Sequence, residues 1–216
     1  MTPRLRDALV AEVCGTFLLV LFGTGVVATV VLMGAQVGLW QVAAVWGFGV
    51  TIAICATAGV SGAHLNPAVT LAMAVFRGDS FPRSRALPYM AAQLAGAVLA
   101  GCVVLAVFSP FLDRFEREHS IVRGEAGSEA SAMVFGEYFP NPAVFPESVL
   151  PDGVDRDLVS PLRAAAVEAF GTAVLVFVIF ALTDGRRAPV GGAMTPLLIG
   201  FTVAVLISLF APITQA

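Results

Sequence analysis

Gly62-Ala63-His64-Leu65-Asn66-Pro67-Ala68-Val69-Thr70 stands between two long apolar runs. Asn66-Pro67-Ala68 reads as a helix start. An Asn at the N-cap accepts a bond from a backbone N–H two or three residues on, through its side-chain oxygen. Proline at the first helical position loses nothing, because that N–H has no helical partner anyway. From Asn66 an apolar stretch of 11 residues runs to Phe76 and ends at Arg77-Gly78-Asp79. At 1.5 Å per residue it covers roughly 16 Å, about half the hydrocarbon thickness of a bilayer. The stretch is too short to cross, so the spacing predicts a re-entrant half-helix over 66–76.

The surrounding sequence supplies the bilayer. Hydrophobic residues make up 58% and charged residues 12%, against about 25% charged in an average soluble domain. Residues 13–35, 39–63, 87–112 and 188–216 carry no charge, and 164–183 carries one acid, Glu168. Each is long enough for a span. The expected spans are 8–32, 40–60, 86–109, 162–183 and 195–211, with Thr195 as N-cap of the last and Pro196 as its first helical residue. In the third span Ala92, Gly96 and Ala100 form a four-residue stripe of small residues, which lets helices approach closely. The first apolar run exceeds a signal peptide's apolar core and is expected to stay in place.

Every basic residue is Arg. Arg4 and Arg6 precede the first span, Arg77, Arg83 and Arg85 follow the half-helix, and Arg186 and Arg187 lie between the last two spans. The positive-inside rule then puts the N-terminus in the cytoplasm. Residues 111–160, with ten acids and four arginines, fall outside, and 111–119 reads as a short surface helix. Nothing in this pattern suggests a nucleic-acid partner. Cys14, Cys55 and Cys102 lie within apolar runs and read as buried free thiols.

The chain repeats itself. Glu12-Val13-Cys14-Gly15-Thr16 returns as Glu168-Ala169-Phe170-Gly171-Thr172, an offset of 156, and Trp46-Gly47-Phe48-Gly49-Val50 returns as Ile199-Gly200-Phe201-Thr202-Val203, an offset of 153. Three spans before the repeat make the second half inverted. The division expected is a first repeat over 1–110, an outer loop over 111–160 and a second repeat over 161–216. By these offsets the counterpart of Asn66 falls near positions 219 to 222, so the second repeat reads as incomplete. Five spans would leave the two ends on opposite sides.

Several residues invite a chemical role. With its oxygen spent on the cap, Asn66 keeps its amide donors free at membrane depth, where the half-helix also directs its positive end. That arrangement suits a neutral hydroxylic solute and repels cations. The carbonyls of Gly62, Ala63, His64 and Leu65 precede the helix and are free to line a water path. His64 has no second ligand at metal spacing and reads as a structural imidazole. Glu12 and Glu168 are acids at membrane depth, which marks them as functional candidates. The favoured reading is that each accepts bonds from backbone N–H groups of a re-entrant loop. A second tripeptide, Asn141-Pro142-Ala143, precedes Pro146 and several acids, and is expected to be an exposed decoy.

Glu12-x-x-Gly15-Thr16, Trp46-Gly47, the block Ser61 to Thr70 and Gln93-x-x-Gly96 resemble the aquaporin superfamily, the major intrinsic proteins. The long segment before the fourth span resembles the glycerol facilitator branch. The resemblance covers nearly the whole chain. It implies an all-α integral membrane fold, an inverted repeat of three spans plus a half-helix, and a homotetramer with one pore per subunit. It further implies a passive channel for glycerol, other small neutral solutes and water, with no cofactor or metal and no enzymatic activity. Asn66, Pro67 and Ala68 would form one half of the central signature. Trp46 would wall the outer constriction, and Ile207 stands where water-selective members carry His. Ala216 falls three residues before the expected second Asn, where glycerol facilitators carry an aromatic, and would leave a wider constriction. A proton-coupled secondary transporter is the alternative, since inverted repeats and broken helices also mark that class. A truncated, non-conducting fragment is another.

Overall fold

A computed structural model describes residues 4–35, 38–146, 157–184 and 192–215. Among these the ordered elements are helices: α1 (Leu5–Met33), α2 (Leu39–Ser61), α3 (Pro67–Phe76), α4 (Ala86–Glu118), α5 (Glu129–Ala132), α6 (Pro161–Thr183) and α7 (Thr195–Thr214). Five are long and apolar enough to cross a membrane, and α3, with 10 residues, is not. Apolar side chains such as Leu162 and Phe177 are 81% and 71% exposed, as expected where lipid takes the place of a core.

Glycine lets the helices meet. Gly47 of α2 and Gly200 of α7 face each other. A Cβ on Gly47 would lie 2.6 Å from the Gly200 carbonyl oxygen, and one on Gly200 would overlap Gly47 and Thr51. These are the duplicated positions of the weaker repeat, so equivalent points of the two halves touch across the α2–α7 crossing. Gly96 on α4 sits against the backbone of Val13 and Phe17 on α1. Its neighbours Ala92 and Ala100 are buried along the same stripe.

Helix ends follow their local chemistry. Gly34 closes α1 with φ +60°, its N–H donating to the Val30 carbonyl and that of Ala35 to the Thr29 carbonyl, and Gly62 closes α2 with φ +87°. For α7 the N-cap is Met194 rather than Thr195, which is the first helical residue, with Pro196 after it.

α4 departs most from the sequence reading. Its 33 residues run unbroken through Pro110 to Glu118, so 111–119 is not a separate helix and the boundary at 110 falls inside an element. At roughly 50 Å the helix outruns the bilayer. Its polar end is held by ion pairs: Arg114 with Glu118 at 2.8 Å, and Arg123 with Glu116 at 2.8 Å and Asp113 at 2.7 Å. The cysteines also differ from expectation, being free but exposed on the helix faces. Their apolar sequence context reflects lipid rather than a packed interior. Arg186, Arg187 and Ala216 lie outside the described residues.

Candidate functional site: a membrane-depth cavity behind Asn66

The turn between α2 and α3 is tightly specified. Ala63 and Leu65 take φ of +50° and +53°, a backbone region that costs non-glycine residues about 1–3 kcal/mol each. The strain turns two successive amides toward one point, and the Glu12 carboxylate occupies it. Its Oε1 accepts from His64 N at 3.0 Å and its Oε2 from Leu65 N at 2.8 Å. Oε2 also accepts from Gln93 Nε2 at 2.7 Å. Glu12 is fully buried, so three N–H donors replace the water it gave up. Gln93 Nε2 also donates to Thr70 Oγ1 at 2.9 Å, and Thr70 Oγ1 donates to the Asn66 carbonyl at 3.0 Å. One network therefore ties α1, α4 and both ends of the turn together.

His64 completes the packing. Its ring lies 4.5 Å from that of Phe81 and 5.2 Å from that of Tyr89, and its Nδ1 is 3.3 Å from Thr70 Oγ1. The Tyr89 hydroxyl donates to the Ser61 carbonyl at 3.0 Å. No group of three metal-binding side chains stands here or elsewhere among the described residues. At its far end α3 is held by arginine. Arg83 donates to the Ala74 carbonyl at 3.2 Å, while Arg77 donates to the Phe180 carbonyl at 2.9 Å and lies 4.8 Å over the Phe180 ring. Cations suit a helix C-terminus.

Asn66 sits where these constraints converge. Its Oδ1 accepts from Ala68 N at 2.7 Å and Val69 N at 3.3 Å. Among the described residues its Nδ2 has no partner. Asn66 lines a cavity of about 360 Å³ that rises to the segment between α5 and α6. Val27, Val30, Leu206 and Phe210 give the cavity an apolar face, while Glu137, Asn141, Glu168 and Gln215 are polar points along it. Trp46 and Ile207 line it as well, and Trp46 packs flat against Gly23, where a Cβ would overlap the indole. Gly62, Ala63, His64, Leu65, Pro67 and Ala68 are not among its lining residues. His64 and Leu65 are buried, and Pro67 and Ala68 are exposed.

One residue stands differently from expectation. Asn141 is not exposed: it is 4% accessible, its Nδ2 donates to the Ala211 carbonyl at 2.6 Å, and it borders the same cavity as Asn66. The turn it starts is short, as Pro146 demands, yet a turn can pack where a helix cannot. The expected partners of Glu168, the counterparts of His64 and Leu65 by the repeat offsets, lie outside the described residues. Glu168 is half-buried, borders the cavity, and its Oε1 has no hydrogen-bond partner among the described residues. Among the described residues no peptide N–H is aimed at it. Glu137, missed in the sequence, faces it across the cavity wall. Desolvation by the surrounding protein, and then the Glu168 carboxylate, push the Glu137 pKa up.

The sequence profile described as "Major intrinsic protein" matches residues 2–216. The chain belongs to that family. Its relatives include the "Glycerol uptake facilitator protein" of Pseudomonas aeruginosa, 43% identical over 99% of this chain and 70% of its own length. The protein of the same name from Escherichia coli strain K12 is 39% identical over 99% of this chain and 69% of its own length. The propanediol uptake facilitator of Salmonella typhimurium is 36% identical over 99% and 74%. The fold resembles the aquaglyceroporin from Plasmodium falciparum, with a TM-score of 0.73 over 98% of this chain and 75% of that one at 21% identity. The major intrinsic protein fold, five apolar span-length helices and a half-helix make this an integral membrane protein.

Proposed function

We propose that the protein is a passive membrane pathway for glycerol, other small neutral hydroxylic solutes and water. The free Nδ2 of Asn66, held in one direction at membrane depth beside an apolar wall, supports this reading most directly. A polyol presents hydroxyls on one side and C–H groups on the other. The cavity offers Asn66 to the first and Val27, Val30 and Phe210 to the second. Desolvating such a solute is costly unless each hydroxyl finds a partner. The Glu12 carboxylate is buried and spent on three N–H donors, so it offers nothing to a solute at Asn66. The glycerol and propanediol uptake facilitators among its relatives favour the same substrate class.

In this reading Trp46 and Ile207 narrow the path above Asn66. The carbonyls of Gly62, Ala63, His64 and Leu65 extend it below, and Pro67 and Ala68 fix the half-helix start. Glu12 is structural. The N-terminus, carrying Arg4 and Arg6, lies in the cytoplasm. Bare apolar faces on α1, α2 and α6, with Phe48, Leu162 and Phe177 exposed, suit contacts with further copies in a homotetramer. Transport needs no cofactor.

Stopped-flow swelling of liposomes containing the intact protein tests this. Glycerol uptake should exceed that of empty liposomes, ignore an imposed pH gradient, and fall at least tenfold in Asn66→Ala. Uptake that follows the pH gradient would replace the passive pathway with a proton-coupled one.

A further inference from the structure

The segment from Met133 to Asn141 lines the cavity and is fastened on two sides of it. On one side Val134, 1% exposed, packs with Ala28 of α1 and Val104 of α4. On the other, three hydrogen bonds join the segment to the end of α7. Asn141 Nδ2 donates to the Ala211 carbonyl at 2.6 Å. Gln215 Nε2 donates to the Met133 carbonyl at 2.7 Å, and Gln215 Oε1 accepts from Tyr138 N at 3.0 Å. Between the two anchors Phe135, Gly136 and Glu137 border the cavity. The chain thus crosses from the α1–α4 side to the α7 side along the cavity wall.

We propose that this segment is a strap that sets the size of solute admitted, and that Asn141 is the positioning residue that holds it in place. Asn141 suits the task because each end of its amide is used. While Nδ2 holds α7, Oδ1 accepts from Ala143 N at 2.9 Å, and the backbone carbonyl accepts from Val144 N and Phe145 N. The side chain thereby couples the turn's shape to its attachment. The resemblance of Asn141-Pro142-Ala143 to the Asn66 tripeptide is one of capping chemistry: both asparagines accept from the amide two residues on. At Asn66 the Nδ2 is left free for solute, and at Asn141 it is spent on a carbonyl. The proposal rests on the passive-pathway reading, since a strap over a non-conducting cavity would select nothing.

The experiment compares glycerol with the five-carbon polyol xylitol in liposomes carrying the intact protein. Asn141→Asp keeps the oxygen that closes the turn and removes the donor to Ala211. Gln215→Ala removes the other two bonds from the opposite partner. In each variant the xylitol-to-glycerol permeability ratio should rise about fivefold, the factor one lost hydrogen bond of ordinary strength allows. Amide exchange at 134–138 should quicken alongside. If Asn141→Asp does not assemble, Gln215→Ala alone decides. Both fluxes falling in proportion, or an unchanged ratio, would reduce these residues to scaffolding and overturn the strap. Wild-type liposomes that pass neither polyol faster than bare lipid would instead overturn the passive-pathway reading.

Discussion

Glu12 is an acid at membrane depth with no ion pair, and its three N–H donors account for its presence. Removing the charge while keeping the shape separates a scaffold from a proton carrier. In Glu12→Gln one oxygen still accepts, but the new NH2 faces a donor at His64 or Leu65 and cannot bond it. Bonds to charged groups are worth about 1.5–3 kcal/mol. The variant should therefore lose about 2 kcal/mol of stability, read as an earlier thermal transition in detergent, and keep a pH-independent glycerol flux in the fraction that assembles. Glu137 should show the opposite sign. Its folded-state pKa is raised, so the native state binds more protons than the unfolded chain between the ordinary carboxylate value and the raised one. Stability then declines as pH climbs through that window. Glu137→Gln should flatten the slope and raise the melting temperature at neutral pH. The gain should stay under about 1 kcal/mol, because the group opens onto solvent in the cavity and is screened. A wild-type melting temperature that rises with pH across the same range would show that another group governs it.

At the scale of elements, α3 depends on both of its ends. Asn66 caps the start, and Arg83 and Arg77 occupy the finish. Arg83→Ala frees the Ala74 carbonyl and should cost about 1 kcal/mol. Thermal unfolding measures that cost, and limited proteolysis near 77–82 should show the fraying. The capping of α3 was legible because Asn-Pro chemistry is local: donor, acceptor and ring lie within four residues. The small-residue stripe on α4 was legible for a similar reason, since close approach needs only the absence of side chains at one spacing. The fate of Asn141 was not. Its partner, the Ala211 carbonyl, is 70 residues away, and a backbone acceptor leaves no mark in sequence. For Glu168 the same Glu-x-x-Gly-Thr frame specifies a helix face, and the positions that the repeat offsets pair with His64 and Leu65 lie outside the described residues. Gln93 gave a signal that was readable: an amide in the middle of an otherwise apolar span needs buried partners. The length of α4 was obscured because the apolar run gives way to charged residues after Leu112, whereas the helix runs on through Pro110 to Glu118.

Across the whole molecule the two halves meet through equivalent positions, Gly47 and Gly200. Alanine at either one would push into backbone, and overpacking of this kind costs about 1–3 kcal/mol. Gly200→Ala should lower the melting temperature clearly, while Gly59→Ala, with nothing within 4 Å of the added carbon, should leave it unchanged. Equal behaviour of the two would mean that the α2–α7 crossing tolerates separation. The Glu12 network also has a temporal side. Its donors lie 52, 53 and 81 residues further along the chain, so none of them exists when α1 leaves the ribosome. At about 5–20 residues per second, roughly 4 to 16 s separate synthesis of the acid from that of its last partner. During that interval water at the insertion machinery must stand in for the missing donors, until the turn and α4 arrive. Biogenesis of this protein therefore has a built-in delay, set by the position of Gln93, before its first helix can settle at its final depth.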